Sequence, residues 1–368
     1  MSRDHRKKPL GYVRGFRPPD SIAIQNALGK LDESNNVFTD EFCSSFLPLS
    51  KPTNENDWLA NYNEHGQTYE KFLKECPFVH SKFFNAKPFD EKTIYLTIFG
   101  KIDENIFDIE SLVDYTKIFF GVSVKLIALF SNVEWDDKKR VWSCTMDKNK
   151  NSINLHTRYN KSTHHSQICV TSILKLLKRV VPKDARCLVA LTMYDLYLDD
   201  SDLFIAGLAE GNSHIAAFSF FRYDPCLTFN DSDWFYFKKK SVEETIRREQ
   251  LRLRSCRLLT HEINHLFGIG HCIYWSCLMN GSGHLEEDFS QPMFLCPVDL
   301  RKLVTLTKFN IKKRYEELLE FFTKHNHLDE VKMLEIKLNI LKKLDDNNRK
   351  RSIIDDDEKI IVKRLRRK

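Results

Sequence analysis

From Thr93 onward the chain sets short β-branched and aromatic runs against longer stretches of helical spacing. TIYLTIFG at 93–100 predicts a buried strand closed by Gly100. Apolar residues at 109, 112, 113, 119 and 120 predict a helix that Gly121 stops, and residues 122–130 a second strand. Strand, helix and strand in succession predict a parallel pair with a right-handed crossover. Residues 131–165 are polar and predict a loop that turns His156, His164 and His165 to solvent. Residues 168–180 form an amphipathic helix ending ahead of Pro182. Residues 187–192 predict a third strand, and 204–210 with 215–223 a strand pair across Gly211-Asn212-Ser213. Residues 241–262 predict one long helix, with Arg247, Arg248, Arg252 and Arg254 on its solvated face and Leu258, Leu259 and Ile263 inward. A further helix begins at 297–304, and Tyr315, Leu318, Leu319 and Phe322 give the next one an apolar stripe. Together these elements predict an α/β fold with a mixed sheet.

The two ends are patterned differently. Residues 1–90 carry Arg6-Lys7-Lys8 and scattered aromatics (Trp58, Tyr62, Tyr69, Phe72, Phe78, Phe83, Phe84), which predict short helices at 57–59 and 67–73 packed on the main domain, with Trp58 as a packing anchor. Beyond His325, Val331, Leu334, Leu338 and Leu341 recur by threes and fours, as in a helix with a coiled-coil-like seam. The end places Arg349-Lys350-Arg351 and Lys363-Arg364-Leu365-Arg366-Arg367-Lys368 on either side of an acidic spacer, a pattern that fits a nuclear localisation signal or a solvated tail.

Composition narrows the class. Hydrophobic residues make up 42% of the 368, enough for a sizeable core. No apolar run follows the charged start, so no signal peptide is expected, and no uncharged stretch reaches the roughly 18 residues of a membrane span. A cytoplasmic or nuclear location is therefore expected, where thiols stay reduced and clustered cysteines read as metal ligands. Seven of the ten cysteines, Cys43, Cys76, Cys144, Cys169, Cys187, Cys226 and Cys256, lack ligand spacing and read as buried thiols. The net charge is +6, and residues 342–368 hold eleven Lys and Arg against six Asp and Glu. The body is thus nearly neutral and predicts no nucleic-acid surface.

The chemistry gathers between 261 and 299. His261-Glu262-x-x-His265 stacks two imidazoles on one helical face, the spacing of a zinc site with a glutamate beside it. Gly268 supplies a left-handed helix stop, and the turned chain can return His271 as a third ligand. Three histidines leave the fourth zinc position open for water, and Glu262 stands ready as the base that takes its proton. Cys272, Cys277 and Met279 follow directly, then Cys296, Pro297 and Asp299.

His-Glu-x-x-His-x-x-Gly-x-x-His with a later Met is the metzincin pattern. The added cysteines, together with ALTMYDLY, FIAGLAEG and IAAFSFFRY upstream, resemble one metzincin family, the archaemetzincins (archaelysins). The resemblance implies a single metzincin-like catalytic domain at 91–325, with an N-terminal extension at 1–90 and a helical, basic tail at 326–368. It implies a zinc metallopeptidase acting on peptide or protein substrates, with Met279 as a structural support below the histidines. It also implies a second, structural zinc held by four cysteines, of which Cys272, Cys277 and Cys296 match and Asp299 stands at the fourth position. A carboxylate is an allowed zinc ligand but a harder one than thiolate, so this site is expected to be weaker, re-liganded through His284, or vacant. Asp299 also reads as an exposed charge at a helix start. The family's substrate-pairing sheet edge falls on 216–221 by the same resemblance. The rival to an enzyme is a non-catalytic, zinc-stabilised scaffold that binds peptides or partners in the same cleft; Glu262 argues against it, since a purely structural site has no use for that carboxylate.

Overall fold

The computed structural model describes residues 16–31, 37–79, 92–136, 141–146, 149–161, 164–229 and 237–365. Arg6-Lys7-Lys8, Phe83, Phe84 and the side chains of both C-terminal basic clusters lie outside the described residues.

A five-stranded sheet runs in the order Gly207–Glu210, Ile215–Ser219, Ala185–Thr192, Thr93–Ile98, Val124–Leu126. All neighbours pair in parallel except Gly207–Glu210, which runs antiparallel to Ile215–Ser219. The sheet is mixed, as the sequence predicts. Side chains alternate between its faces. Tyr95, Leu188, Ala190, Ile215 and Ala217 share one core with Ile173, Leu174 and Leu177 of the helix Val170–Leu177. Ile94, Leu96, Val189, Leu191, Ala216 and Phe218 alternate with them and are equally buried. Asp108 caps the helix Ile109–Phe120 with its side chain and Gly121 ends it at φ 64°, as the spacing predicts. That helix packs against Glu244–Leu266, the long helix that carries the histidine motif.

Two expectations give way. Most of the described residues of 131–165 are in strands: Phe130–Asp136, Val141–Met146 and Asn149–Asn154 form an antiparallel sheet, and Thr157–Asn160 pairs with His165–Cys169. Their inward positions, Val133, Cys144, Met146 and Leu155, are few and join the core under the main sheet. Phe130, Trp142 and Ile153 pack against the same core half-buried, and the polar residues set between these positions break the apolar runs into single letters, which read as a loop. His165 stacks flat on Phe221 at 4.6 Å, and burial lowers its pKa. The arginines of the long helix are likewise engaged by protein. Arg247 pairs with Asp224 at 2.5 Å, Arg248 and Arg252 with Asp108 at 3.4 and 3.2 Å, and Arg254 lies 3.8 Å over the Phe289 ring. Arg252 is thus buried by its partners, while Arg247 and Arg248 pair with carboxylates and stay 31 and 37% exposed, at the solvated start of the helix.

By its internal contacts the chain divides into two compact units, Met1–Gly29 with Pro48–Phe309, and Lys30–Leu47 with Asn310–Lys368. The second is built from Asp40–Ser44, Ile311–Lys324 and the first half of Leu328–Leu365. Phe42, Tyr315, Leu318, Phe322 and Leu334 are fully buried within it. The seam residues thus dock on their own unit, with Leu334 and Leu341 buried and Val331 and Leu338 half-buried. Lys337 is fully buried in the same stripe. Its Nζ donates to the Ser45 carbonyl and hydroxyl at 3.0 and 3.2 Å and sits 3.6 Å from the Phe46 ring centre. Burial pulls its pKa down from 10.5 to about 8. The unfolded chain therefore holds this proton more tightly, and the unit is expected to gain stability as pH rises from about 8 to 10.5. The gain is on the order of 3 kcal/mol. Thermal melts of wild type and Lys337→Met across that window check it; parallel curves contradict it.

Candidate active site

His261 and His265 project from the last turn of the long helix, which ends at Leu266. Gly268 follows at φ 83°, the left-handed conformation that a glycine adopts without strain, and the chain turns back to deliver His271. The three side chains offer ligand atoms that all lie within 4.8 Å of one another. His261 Nδ1 lies 2.7 Å from the Leu278 carbonyl oxygen, and His265 Nδ1 2.8 Å from that of Ile269. His271 Nδ1 lies 2.8 Å from Glu64 Oε1. Carbonyl and carboxylate oxygens only accept, so each Nδ1 carries the proton and each Nε2 presents a lone pair inward. His261 and His265 bring those Nε2 atoms to 3.0 Å. Two lone pairs at that separation repel unless a cation lies between them, and neutral imidazole nitrogens are what zinc takes. Burial, with His261 and His271 nearby, holds His265 well below its ordinary pKa and so keeps it in the ligating form. The donor set fits zinc.

The histidines and Glu262 line a cleft of about 320 Å³. Its other walls include Tyr62, Gly207, Leu208, Leu258, Tyr223 and Asp288. Glu262 is 7% exposed. Gly207–Glu210 is the outermost strand of the sheet on this side. A Cβ at Gly207 would come within 2.2 Å of the Phe218 ring and 2.4 Å of the Ala217 carbonyl oxygen, so only glycine lets the edge strand lie this close. The edge expected at 216–221 is therefore displaced. Ile215–Ser219 is paired on both sides and buried throughout, as its unbroken apolar run requires, and the preceding strand forms the edge.

Immediately behind His271 lies a second cluster. Cys272, Cys277, Cys296 and Asp299 also offer ligand atoms within 4.8 Å of one another, and all four are buried. Cys277 Sγ and Cys296 Sγ lie 3.2 and 3.4 Å from Asp299 Oδ2, and Cys272 Sγ 3.5 Å from Cys296 Sγ. Backbone N–H groups of Tyr274, Met279 and Cys296 donate to the sulfurs. Burial opposes ionisation of Cys272, but hydrogen bonds from Cys277, Cys296, Trp275 and Tyr274 overcome it and hold this thiol well below its ordinary value. Burial and the neighbouring Cys272 push Cys277 and Cys296 up. Burial raises Asp299 to about 6, against the pull of Lys302. Three sulfurs and a carboxylate are donor types that zinc takes. Asp299 is not the exposed helix-start charge that the sequence also allowed, since it is 0% exposed and takes a 2.7 Å ion pair from the equally buried Lys302. Nor does His284 join the cysteines. It caps the helix Leu285–Ser290 and its Nε2 lies 2.9 Å from Asp57 Oδ1.

No family model matches the chain. Archaemetzincin-2 from Homo sapiens is 33% identical over 284 residues, covering 72% of this chain and 72% of that protein. The chain belongs to the archaemetzincin family. Archaemetzincin-2 from Macaca fascicularis is 32% identical over the same share of both chains, and Archaemetzincin-1 from Homo sapiens 25% identical over 83% of this chain and 58% of that one. Among solved structures, the archaemetzincin from Methanopyrus kandleri is 20% identical and covers 61% of this chain and 100% of that one, with a TM-score of 0.39. The family explains the shape of the motif region: an archaemetzincin, as the sequence resemblance implies, is a zinc metallopeptidase.

Sequence reasoning missed several residues that hold this archaemetzincin's site together. Asn280 receives the Cys277 N–H at 2.7 Å and donates to the Cys272 and Trp275 carbonyls at 2.9 and 3.0 Å, which staples the cysteine loop. Met279, which the sequence did point to as a support, is fully buried; its carbonyl accepts the Cys272 N–H at 2.7 Å, and the adjacent Leu278 carbonyl orients His261. Glu64 and Gln67 come from about 200 positions upstream and carry no motif of their own.

Proposed function

We propose that this chain hydrolyses peptide bonds at a zinc ion held by His261, His265 and His271, with Glu262 as general base. The observation that carries the reading is the convergence of three inward-facing Nε2 lone pairs beside Glu262 in the cleft. Zinc bound there supplies a Lewis acid for the scissile carbonyl and an acidified water. Glu262 takes the proton of the attacking water and returns it to the leaving amine. A substrate peptide aligns by adding a strand to Gly207–Glu210 through backbone hydrogen bonds, while the cleft walls receive its side chains. Met279 fills the space below the loop and takes no part in proton movement. We further infer a second, structural zinc on Cys272, Cys277, Cys296 and Asp299, which braces the loop that presents His271.

Metal removal tests the reading. Dialysis against a chelator is expected to abolish peptide hydrolysis, and added Zn2+ to restore it in protein whose circular dichroism shows the fold retained. Hydrolysis that survives complete zinc removal contradicts it.

A further inference from the structure

The outer contacts of the three histidines are not alike. His261 and His265 give their Nδ1 protons to backbone carbonyls of their own stretch of chain, Leu278 and Ile269. His271 gives its proton to a carboxylate, Glu64 Oε1, at 2.8 Å. The same oxygen accepts the indole N–H of Trp58 at 2.8 Å, so its direction is fixed from two sides. The Trp58 ring stands edge-on to the His271 imidazole, 5.3 Å between centres at 85°. Gln67 brackets the same loop: its amide donates to the Gly268 carbonyl at 3.0 Å and its oxygen accepts the Gly270 N–H at 2.9 Å. Close packing leaves this segment no slack. A Cβ at Gly281 would lie 2.3 Å from the Trp58 ring, and one at Gly66 2.7 Å from Ile273.

We propose that the N-terminal segment 58–67 is a working part of the histidine zinc site, and that Glu64 is its positioning residue, holding His271 through a carboxylate–histidine pair. This rests on the zinc reading of that site and deepens it. A carboxylate on the outer nitrogen fixes tautomer and ring direction, and its charge makes the inner nitrogen a stronger donor to a cation. A backbone carbonyl does the first with less of the second. His271 sits on a loop, beyond the helix that aligns the other two ligands, so it is the histidine with the most need of an external brace. Trp58 and Gln67 keep the carboxylate and the loop in register.

The test measures zinc affinity of the full-length protein by chelator competition, together with the visible absorption of its cobalt-substituted form. The histidine-site ion is identified as the release phase that disappears in His265→Ala. Glu64→Ala is expected to weaken that phase by about 10–100-fold, with the cysteine-site phase unchanged. Glu64→Gln, which still accepts the Nδ1 proton but lacks the charge, is expected to fall between Ala and wild type. Both variants should shift the cobalt bands of the histidine site, which loss of packing alone would not do. If Glu64→Ala fails to fold, the isosteric Gln variant decides. A folded Glu64 variant with wild-type affinity and cobalt spectrum overturns the inference and leaves the zinc reading intact. Wild-type protein with no His265-dependent phase overturns the zinc reading itself, and the inference with it.

Discussion

Glu262→Gln is expected to lower kcat by about 10²–10⁴-fold, the usual contribution of a positioned general base, while zinc content and melting temperature stay at their wild-type values. The amide has the size of the carboxylate but cannot take a proton from water. Zinc should remain because the three imidazoles supply the inward-facing nitrogens, and Glu262 is not among the converging ligand atoms. Its place is beside them, on the wall of the same cleft. Steady-state turnover of a peptide substrate, with zinc counted by mass spectrometry on the same sample, separates the outcomes. Full activity in the variant removes Glu262 from the mechanism. Loss of zinc and fold together with activity makes it a structural residue.

The second large effect concerns Asp299. Gently purified protein is expected to carry two zinc ions, one of which a chelator strips first. A carboxylate is a harder partner than the thiolate it stands in for, so the cysteine-site ion is the labile one. Asp299→Cys should slow its release and Asp299→Ala should speed it. The structure adds a second consequence. Lys302 is fully buried and its ammonium lies 2.7 Å from Asp299. Asp299→Ala strands that charge, at a cost of about 3–5 kcal/mol. The double variant Asp299→Ala/Lys302→Met separates the two roles: stability should return while rapid zinc release persists. If the double variant releases zinc as slowly as wild type, Asp299 serves only to neutralise Lys302 and is no ligand.

These predictions rest on residues of unequal visibility in the sequence. The histidine motif was legible because helix geometry converts its spacing directly into position, and Gly268 marks the turn that His271 needs. The cysteines were legible as a set because they follow directly on the histidine motif and match the family's pattern, and the structure brings all three to Asp299. The strands Thr93–Ile98 and Ala185–Thr192 showed as apolar runs because both of their faces are covered. The small antiparallel strands between Phe130 and Asn160 did not show, since each is short and its apolar letters are interrupted by Ser, Asn, Asp, Glu and Thr. The sheet edge was misplaced because the resemblance carried it onto 216–221, where the apolar run is paired on both sides, while Gly207–Glu210 lies outside it. Glu64 was invisible for a different reason: a single acceptor far away in sequence has no spacing to read, and only the folded chain sets it against His271.

The central claim is that zinc-replete protein cuts peptides with water. It is tested most directly by incubating that protein with a mixed peptide library in water enriched in oxygen-18 and sequencing the products by mass spectrometry. New carboxyl termini carrying one heavy oxygen, present with wild type and absent with Glu262→Gln, are the result expected here. A folded protein with its histidine-site zinc in place that leaves the whole library intact would contradict the account and favour a zinc-stabilised peptide-binding scaffold.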